Sequence, residues 1–444
     1  MHTDPPTKNR RLSVPPAAAV PLAAAVAIAL SSCSVADTAP RKSGGAPAAA
    51  PQEISFLTFE TPNLPPEYWD AAIERVTDKH PEIKVKKLVT PTVDRTGYAK
   101  QLLASGQFPD VMLAVKPTDI GAAQNLYAWR PDELKDFIVP DGGAIDGKVY
   151  QLPANTQTIP NVYYRKSMFE KAGIAAPPKT YADLLDAAAK LKAKGITPFV
   201  VGGGKDAFPS VLPLTATVAT EVYKKNPNWM LDRRAGKTKF ADPDFVKALS
   251  LVGDLAGKGY IDKSMVSLDY AATEQAFLKG KGAMYPMGSW FAAAGDKSDI
   301  KDDVGVFAWP TADGAPLLPG YTGGGLEVNA NSRHLDAAKK FTLAFQLDKA
   351  NLDNSVKSDA LFPAIKGYTP PADTGPVFKA TYALWTEHVQ GNATVKAFSW
   401  ETGGDALIAG MTEKVYAAVQ DVIIGMKSAQ DAAAYLDAEW EKAS

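Results

Sequence analysis

The chain has 444 residues, enough for two domains or for one large α/β unit with a full core. Hydrophobic residues make up 46% and charged residues 22%, near ordinary globular averages, and the net charge is −1. With no basic block in the body, the chain lacks a phosphate-neutralising surface, so nucleic acid is not an expected partner.

At the N-terminus, Lys8, Arg10 and Arg11 form a basic start, followed by a charge-free, alanine-rich run to Leu30 and then by LSSC, Leu30 to Cys33. This order predicts a secretory signal over residues 1–32. Pro15, Pro16 and Pro21 argue against a stable membrane span there, and no later segment is long and apolar enough for one. Cys33 is the only cysteine, and it follows the export signal in sequence too irregular for a core. LSSC resembles a bacterial lipobox, with Ser32 less usual there than Gly or Ala. The resemblance implies that Cys33 is lipidated and anchors the protein on the extracellular face of the cell membrane. The rest of the chain then has no disulfide, thiol chemistry or cysteine metal ligand. Residues 33–52 read as the lipidated cysteine and a flexible Ala/Pro/Gly/Ser-rich tether. Beyond them stand 43 basic and 47 acidic residues, as expected of an exported soluble domain.

In the folded part, EISFLTFE (Glu53 to Glu60) reads as a strand. Trp69, Ile73 and Val76 fall at helical spacing, and His80-Pro81 stops that helix. The strand EIKVKKLV, a helix around Tyr98 to Ala104 and the strand DVMLAV (Asp110 to Val115) complete a βαβαβ opening and predict an α/β fold. In PPKTYADLLDAAAKLKAKG, Thr180 is the expected N-cap, Asp183 makes a capping-box variant and Gly195 the stop. Leu184, Leu185, Ala188 and Leu191 share its apolar face. ITPFVV (Ile196 to Val201) and Ala283 to Met287 read as strands, and a helical stretch runs from Asp405 to the C-terminus.

The motifs WDAAIERVTDKHPEIKV, FPDVML, YQLPANTQTIPNVYYRKSMFEKAGI, PPKTYADLLDAAAKLKAKGITPF, TEQAFLKGKGAMYPMGSW and GGGLEVNANSRHLDAAKKFTLAF occur in that order. Together they resemble the extracellular solute-binding proteins of ABC importers, in the carbohydrate-binding branch that includes maltose-binding protein. The resemblance spans essentially Glu53 to Ser444. It implies a two-lobe, periplasmic-binding-protein-like clamp with the ligand cleft between the lobes and three interlobe crossings. Carried over, the crossings fall near Asn155 to Pro160, Val304 to Trp309 and Phe345 to Lys349. The lobes would comprise 53–156 with 307–347, and 157–306 with 348–444. The expected partners are a small carbohydrate and an ABC transporter permease. The protein would be a monomer with no cofactor and no catalytic residues.

A sugar ring has an apolar C–H face and a rim of hydroxyls, which call for an aromatic side chain and for amides or carboxylates. Trp290 follows a strand end and Gly288-Ser289, with Ser289 expected to cap a new helix; the resemblance makes this tryptophan a stacking residue. Glu60 ends the first strand, and Asn155 and Gln157 lie in the first crossing. Asp206 and Phe208 sit in the polar loop KDAFPS, at a place that resembles a ligand-contacting loop of the family. Tyr321 and Gly324 belong to YTGGG, which lacks the Lys-Ser/Thr of a P-loop and suits close approach of a ligand to backbone. Trp400 and Glu401 in FSWE complete the candidates, while packing is expected of Trp229, Trp309 and Trp385. Ala114 stands where maltose-binding protein has a stacking tryptophan, so maltose itself is not implied.

Other readings have less support. A glycoside hydrolase needs two carboxyls at defined separation, and no motif selects such a pair. A serine hydrolase would need a G-x-S-x-G elbow, and metal binding an H-E-x-x-H or similar cluster; neither occurs. Tyr163 and Tyr164 are adjacent, so on a strand they face opposite ways and cannot chelate together. A polyamine or peptide in place of the sugar is the main alternative.

Overall fold

Alternation in the first strand decides where the chain begins to fold. In β1 (Gln52–Thr58), Ile54 and Phe56 are buried on one face and Leu57 on the other, so the strand needs cover on both sides. The computed structural model of the protein describes residues 50–91, 94–323, 325–396 and 406–443. Cys33, Gly324, Trp400 and Glu401 therefore lie outside the described residues, as do the expected signal and nearly all of the tether.

Helix α1 (Pro66–Thr77) buries Trp69, Ala72, Ile73 and Val76 against this strand's sheet. Strand β2 (Ile83–Val89), helix α2 (Arg95–Ala104) and strand β3 (Val111–Leu113) follow, giving the expected βαβαβ unit. Both β2 and β3 run parallel to β1. The late strand β9 (Leu326–Val328) joins β3 antiparallel, in the order β2-β1-β3-β9.

A second sheet has the order β6-β5-β7, from β5 (Asn161–Arg165), β6 (Met284–Met287) and β7 (Val304–Ala308). Its core includes the helices α3 (Tyr181–Ala193), α4 (Tyr270–Leu278) and α5 (Phe291–Lys297). The α3 capping box is complete: Thr180 accepts from the Asp183 amide and Asp183 from the Thr180 amide. Its buried face is Leu184, Ala187, Ala188 and Leu191, with Leu185 at the margin. ITPFVV does not form a strand; Phe199 makes only single bridges to Ile261 and Met284. Pro198 within it has no N–H to offer a ladder.

A third sheet connects the two halves. It contains β4 (Asn155–Thr158), β8 (Leu318–Gly323), β10 (Phe362–Pro363) and β11 (Thr394–Val395), ordered β10-β4-β8-β11. The first expected crossing coincides with β4. At the second, Val304–Trp309, the structure has β7 paired residue by residue with β5, and the chain reaches the connecting sheet at β8. The third passage runs through α6 (Leu335–Leu347), α7 (Lys349–Asp359) and β10. Two helices close the chain: α8 (Met411–Ile424) and α9 (Ala429–Ala443).

Helix α7 belongs to both halves, since Leu352 packs in the first core and Val356, one turn on, in the second. Its N-terminal end is tied to α1 by a buried amide. Asn351 Oδ1 accepts from Arg75 Nε at 2.6 Å, and Asn351 Nδ2 donates to the carbonyls of Ala72 and Phe345, each at 3.2 Å. Removing this amide takes the acceptor from Arg75 Nε and one hydrogen bond from each of the two carbonyls. Asn351→Ala is expected to destabilise the fold by about 2 kcal/mol in urea unfolding, the usual cost of orphaning buried polar groups.

Candidate functional site

The site is assembled where the end of β6 meets the connecting sheet. The Ser289 amide donates to the Thr158 carbonyl at 2.9 Å, which fixes the turn out of β6 to the end of β4. A Cβ at Gly288 would fall 2.1 Å from the Trp290 ring, so only glycine lets the indole lie back over the strand end. Ser289 does not cap the following helix. Trp290 itself is the N-cap of α5, and the Ser289 hydroxyl is buried with no hydrogen-bond partner among the described residues.

Trp290 is half-buried and held from several directions. Its Nε1–H donates to the Tyr270 hydroxyl at 3.1 Å, and its carbonyl accepts from Asn63 Nδ2 at 3.2 Å. Phe208 lies beside it, with ring centroids 6.1 Å apart and planes tilted by 33°. Tyr416 from α8 meets the far side of Phe208 edge-on at 6.5 Å. The Asp206 carboxylate accepts from the Tyr270 amide at 3.3 Å. The structure thus brings Trp290, Phe208 and Asp206 together, and joins to them Tyr270, which the sequence reading did not single out.

The other candidates occupy different places. Glu60 is exposed two residues past β1, and the preceding Phe59 carries the Arg95 guanidinium 4.3 Å above its ring. Asn155 and Gln157 share one face of β4 in the connecting sheet. Asn155 is buried with Oδ1 lacking a partner among the described residues, and Gln157 pairs in register with Tyr321 of β8. In YTGGG, a Cβ on Gly325 would sit 1.9 Å from the Leu152 carbonyl. The close approach required at Gly325 is therefore to the protein's own backbone. Ala114, at the end of β3, adopts φ 52°, a left-handed conformation unusual for alanine, and donates its N–H to the Gly325 carbonyl. Tyr163 is buried, whereas Tyr164 lines a separate hollow of about 570 Å³ with Lys166, Phe169 and Glu170. The two tyrosines face opposite ways, as expected.

Two carboxyls that sequence reasoning missed bear on Tyr270, the partner of the indole. Glu274, one turn after Tyr270 on α4, is 4% exposed. Burial pushes it up to about 7, against the opposing pull of the Tyr270 hydroxyl and Lys297. Asp359, the last residue of α7, accepts from Asn63 Nδ2 at 3.0 Å. Burial pushes it up to about 7 as well; Asn63, Lys297 and Arg95 oppose the shift and Glu274 adds to it. The Tyr270 hydroxyl is driven well above its ordinary range, chiefly by burial and then by Glu274 and Asp359. In sequence, the signal was a tyrosine and a glutamate four apart just after the Asp269 cap. On the other side, the Lys116 ammonium, two residues past Ala114, hydrogen-bonds the Thr412 hydroxyl at the start of α8.

The profile of the bacterial extracellular solute-binding protein family matches residues 62–351, more than half of the chain, and the chain belongs to that family. The multiple sugar-binding protein of Streptococcus mutans is 26% identical over 292 residues, covering 61% of this chain and 67% of that protein. An uncharacterised ABC transporter extracellular-binding protein of Pyrococcus horikoshii is 25% identical over 352 residues, 73% of each chain. Among solved structures, a chitin oligosaccharide binding protein matches with TM-score 0.76 at 24% identity, over 88% of this chain and 99% of that one. A maltose-bound protein of T. maritima matches with TM-score 0.69 at 20% identity, over 88% and 99%. These likenesses establish the fold as a two-lobe clamp with its cleft between the lobes. Among the described residues no helix is long and apolar enough to cross a membrane.

Glu274 and Asp359 also set a pH dependence. Their folded values lie above those of the unfolded chain, so between about pH 5 and 7 the folded state holds more protons. Their contribution to stability is complete at lower pH and is lost as pH rises through about 7. Glu274→Gln is expected to flatten this fall and to leave the protein more stable than wild type at pH 8, by roughly 2 kcal/mol in urea unfolding.

Proposed function

We propose that the protein captures a sugar or oligosaccharide outside the cell by closing its lobes on it, and delivers it to an ABC import permease. The observation that carries this reading is the aromatic surface of Trp290 and Phe208 at the junction of the lobes, with the Asp206 carboxylate at its edge. Such a surface matches the C–H face of a pyranose, and the neighbouring polar groups match its hydroxyls. The Streptococcus relative named for multiple sugars and the chitin oligosaccharide binding protein point the same way. Glu60, Asn155, Gln157, Tyr321, Gly324, Trp400 and Glu401 complete the proposed contacts. Ligand contacts to both lobes favour the closed population without any covalent step.

The proposed lobes are 53–156 with 307–347, and 157–306 with 348–444. Separate hydrophobic cores around the first and second sheets support that division. The protein acts as a monomer tethered through lipidated Cys33 to the extracellular face of the membrane. It binds its ligand without transforming it.

A thermal-shift screen against mono- and oligosaccharides, polyamines and short peptides tests the ligand class. At roughly 100 times its Kd, a true ligand stabilises the fold by about 2.7 kcal/mol. One class of sugar is expected to raise Tm, and Trp290→Ala to abolish the shift; a response to polyamines or peptides alone would sink the sugar assignment. Recovery of the sugar intact by chromatography checks that nothing is cleaved. For the anchor, Cys33→Ser is expected to move the protein from the membrane fraction to the medium, and equal release of wild type would exclude lipidation.

A further inference from the structure

A stacking indole must have its plane fixed before the ligand arrives, otherwise binding bears the entropy of ordering it. The Trp290 ring turns about its own χ angles, so backbone placement alone does not set that plane. The ring N–H has one acceptor, the Tyr270 hydroxyl at 3.1 Å. A phenol that accepts one hydrogen bond still has its own proton to place. Glu274, one turn on along the same face of α4 and nearly excluded from water, is the carboxyl placed to take that proton.

We propose that Tyr270 and Glu274 are positioning residues for ligand stacking: Glu274 orients the Tyr270 hydroxyl, and that hydroxyl fixes the plane of the Trp290 ring. The proposal rests on the reading above, in which Trp290 contacts the ligand. It adds a route by which the charge on a buried carboxyl controls that contact. An ionised Glu274 accepts the phenol proton and leaves the phenol oxygen open to the indole N–H. A protonated Glu274 becomes a donor itself and competes with the indole for the same oxygen.

The groups facing this relay come from several elements. Lys297 of α5 lowers the proton affinity of Glu274. Tyr285 of β6 is buried beside Tyr270 and Glu274. Asp359 of α7 bears on Tyr270 and is itself faced by Arg95 of α2. Asp206 holds the Tyr270 amide. From the opposite lobe, Asn63 donates to both Asp359 and the Trp290 carbonyl, so ring and backbone of the tryptophan are held separately. Burial places Glu274 at about 7, within the range where this charge changes under ordinary conditions.

The first readout needs no ligand. The Trp290 indole N–H resonance of the ¹⁵N-labelled full chain, assigned with Trp290→Phe, is followed from about pH 5.5 to about 8.5. In wild type it is expected to titrate near neutrality. Tyr270→Phe should displace it and abolish the titration. Glu274→Gln, which keeps an acceptor but no charge, should abolish the titration with little displacement, while Asp359→Asn should leave a titration in place. An indole signal unmoved in Tyr270→Phe overturns the relay, as does a titration kept in Glu274→Gln or lost only in Asp359→Asn.

The second readout uses maltotriose, raffinose and chitotriose as probes, taking whichever wild type binds. Tyr270→Phe and Glu274→Leu are expected to weaken binding about tenfold, with Glu274→Gln keeping affinity but losing its pH dependence. If Trp290→Ala binds like wild type, the reading of Trp290 as a ligand contact fails. If Trp290→Ala loses binding while Tyr270→Phe and Glu274→Leu keep it, that reading stands and the relay alone is wrong.

Discussion

Three separated stretches of chain cross between the lobes, and they satisfy one another's backbone hydrogen bonds. Strand β4 has β8 on one side and β10 on the other, so each passage contributes a strand to one small sheet. Buried backbone donors and acceptors must be paired, and this pairing means that no crossing can change course alone. A change in the angle between lobes is taken up along all three together. The turn that carries Trp290 is tied to the same sheet, because the Thr158 carbonyl at the end of β4 receives the Ser289 amide. The position of Trp290 relative to the joint is therefore set by main-chain hydrogen bonds before any side chain acts.

What surrounds that turn is less comfortable than a core. Asn155 Oδ1 and the Ser289 hydroxyl are buried without partners among the described residues, and the two carboxyls that bear on Tyr270 have raised proton affinity. Each orphaned polar atom costs about 1–3 kcal/mol. The extensive aromatic and aliphatic core around the second sheet offsets such costs, and Phe208, Tyr270 and Trp290 pack against its edge. The strain is local and the stability is spread out, as expected where a site must keep polar groups ready for a partner.

Local physics was legible in the sequence. The spacing of Trp69, Ile73 and Val76 and the Thr180–Asp183 box depend on neighbours a few residues away, and the structure has both. Trp290 was legible as a candidate from its place after a strand end and Gly-Ser, whereas Asp206 and Phe208 entered through the resemblance of their loop's place in the chain. Their proximity was implied only by resemblance. The role of Ser289 was misjudged because capping was read from residue type, whereas the turn is held by its backbone amide. The glycines of YTGGG read as open to a ligand because nothing in the sequence signals that Leu152 comes so near Gly325. Asn63, Tyr270, Glu274 and Asp359 gave almost no signal, since a polar residue on a helix or loop reads as surface until the opposite element is known.

Two carboxyls with values near 7 close to a tryptophan proposed to stack on a sugar invite comparison with the acid and base of a glycosidase. We propose a different use, in keeping with capture rather than cleavage of the ligand. A general acid must reach the glycosidic oxygen, and its partner must face a water or the anomeric carbon. Asp359 instead accepts from the Asn63 amide, and Glu274 stands one turn from Tyr270 on α4, with the phenol bearing on its carboxyl. Burial raises the proton affinity of any carboxyl, whatever its task, so the shift alone does not select catalysis. Asp359 Oδ1 is already taken up by the Asn63 amide. On this reading the same desolvation that would tune an acid in an enzyme serves to hold an aromatic plane still.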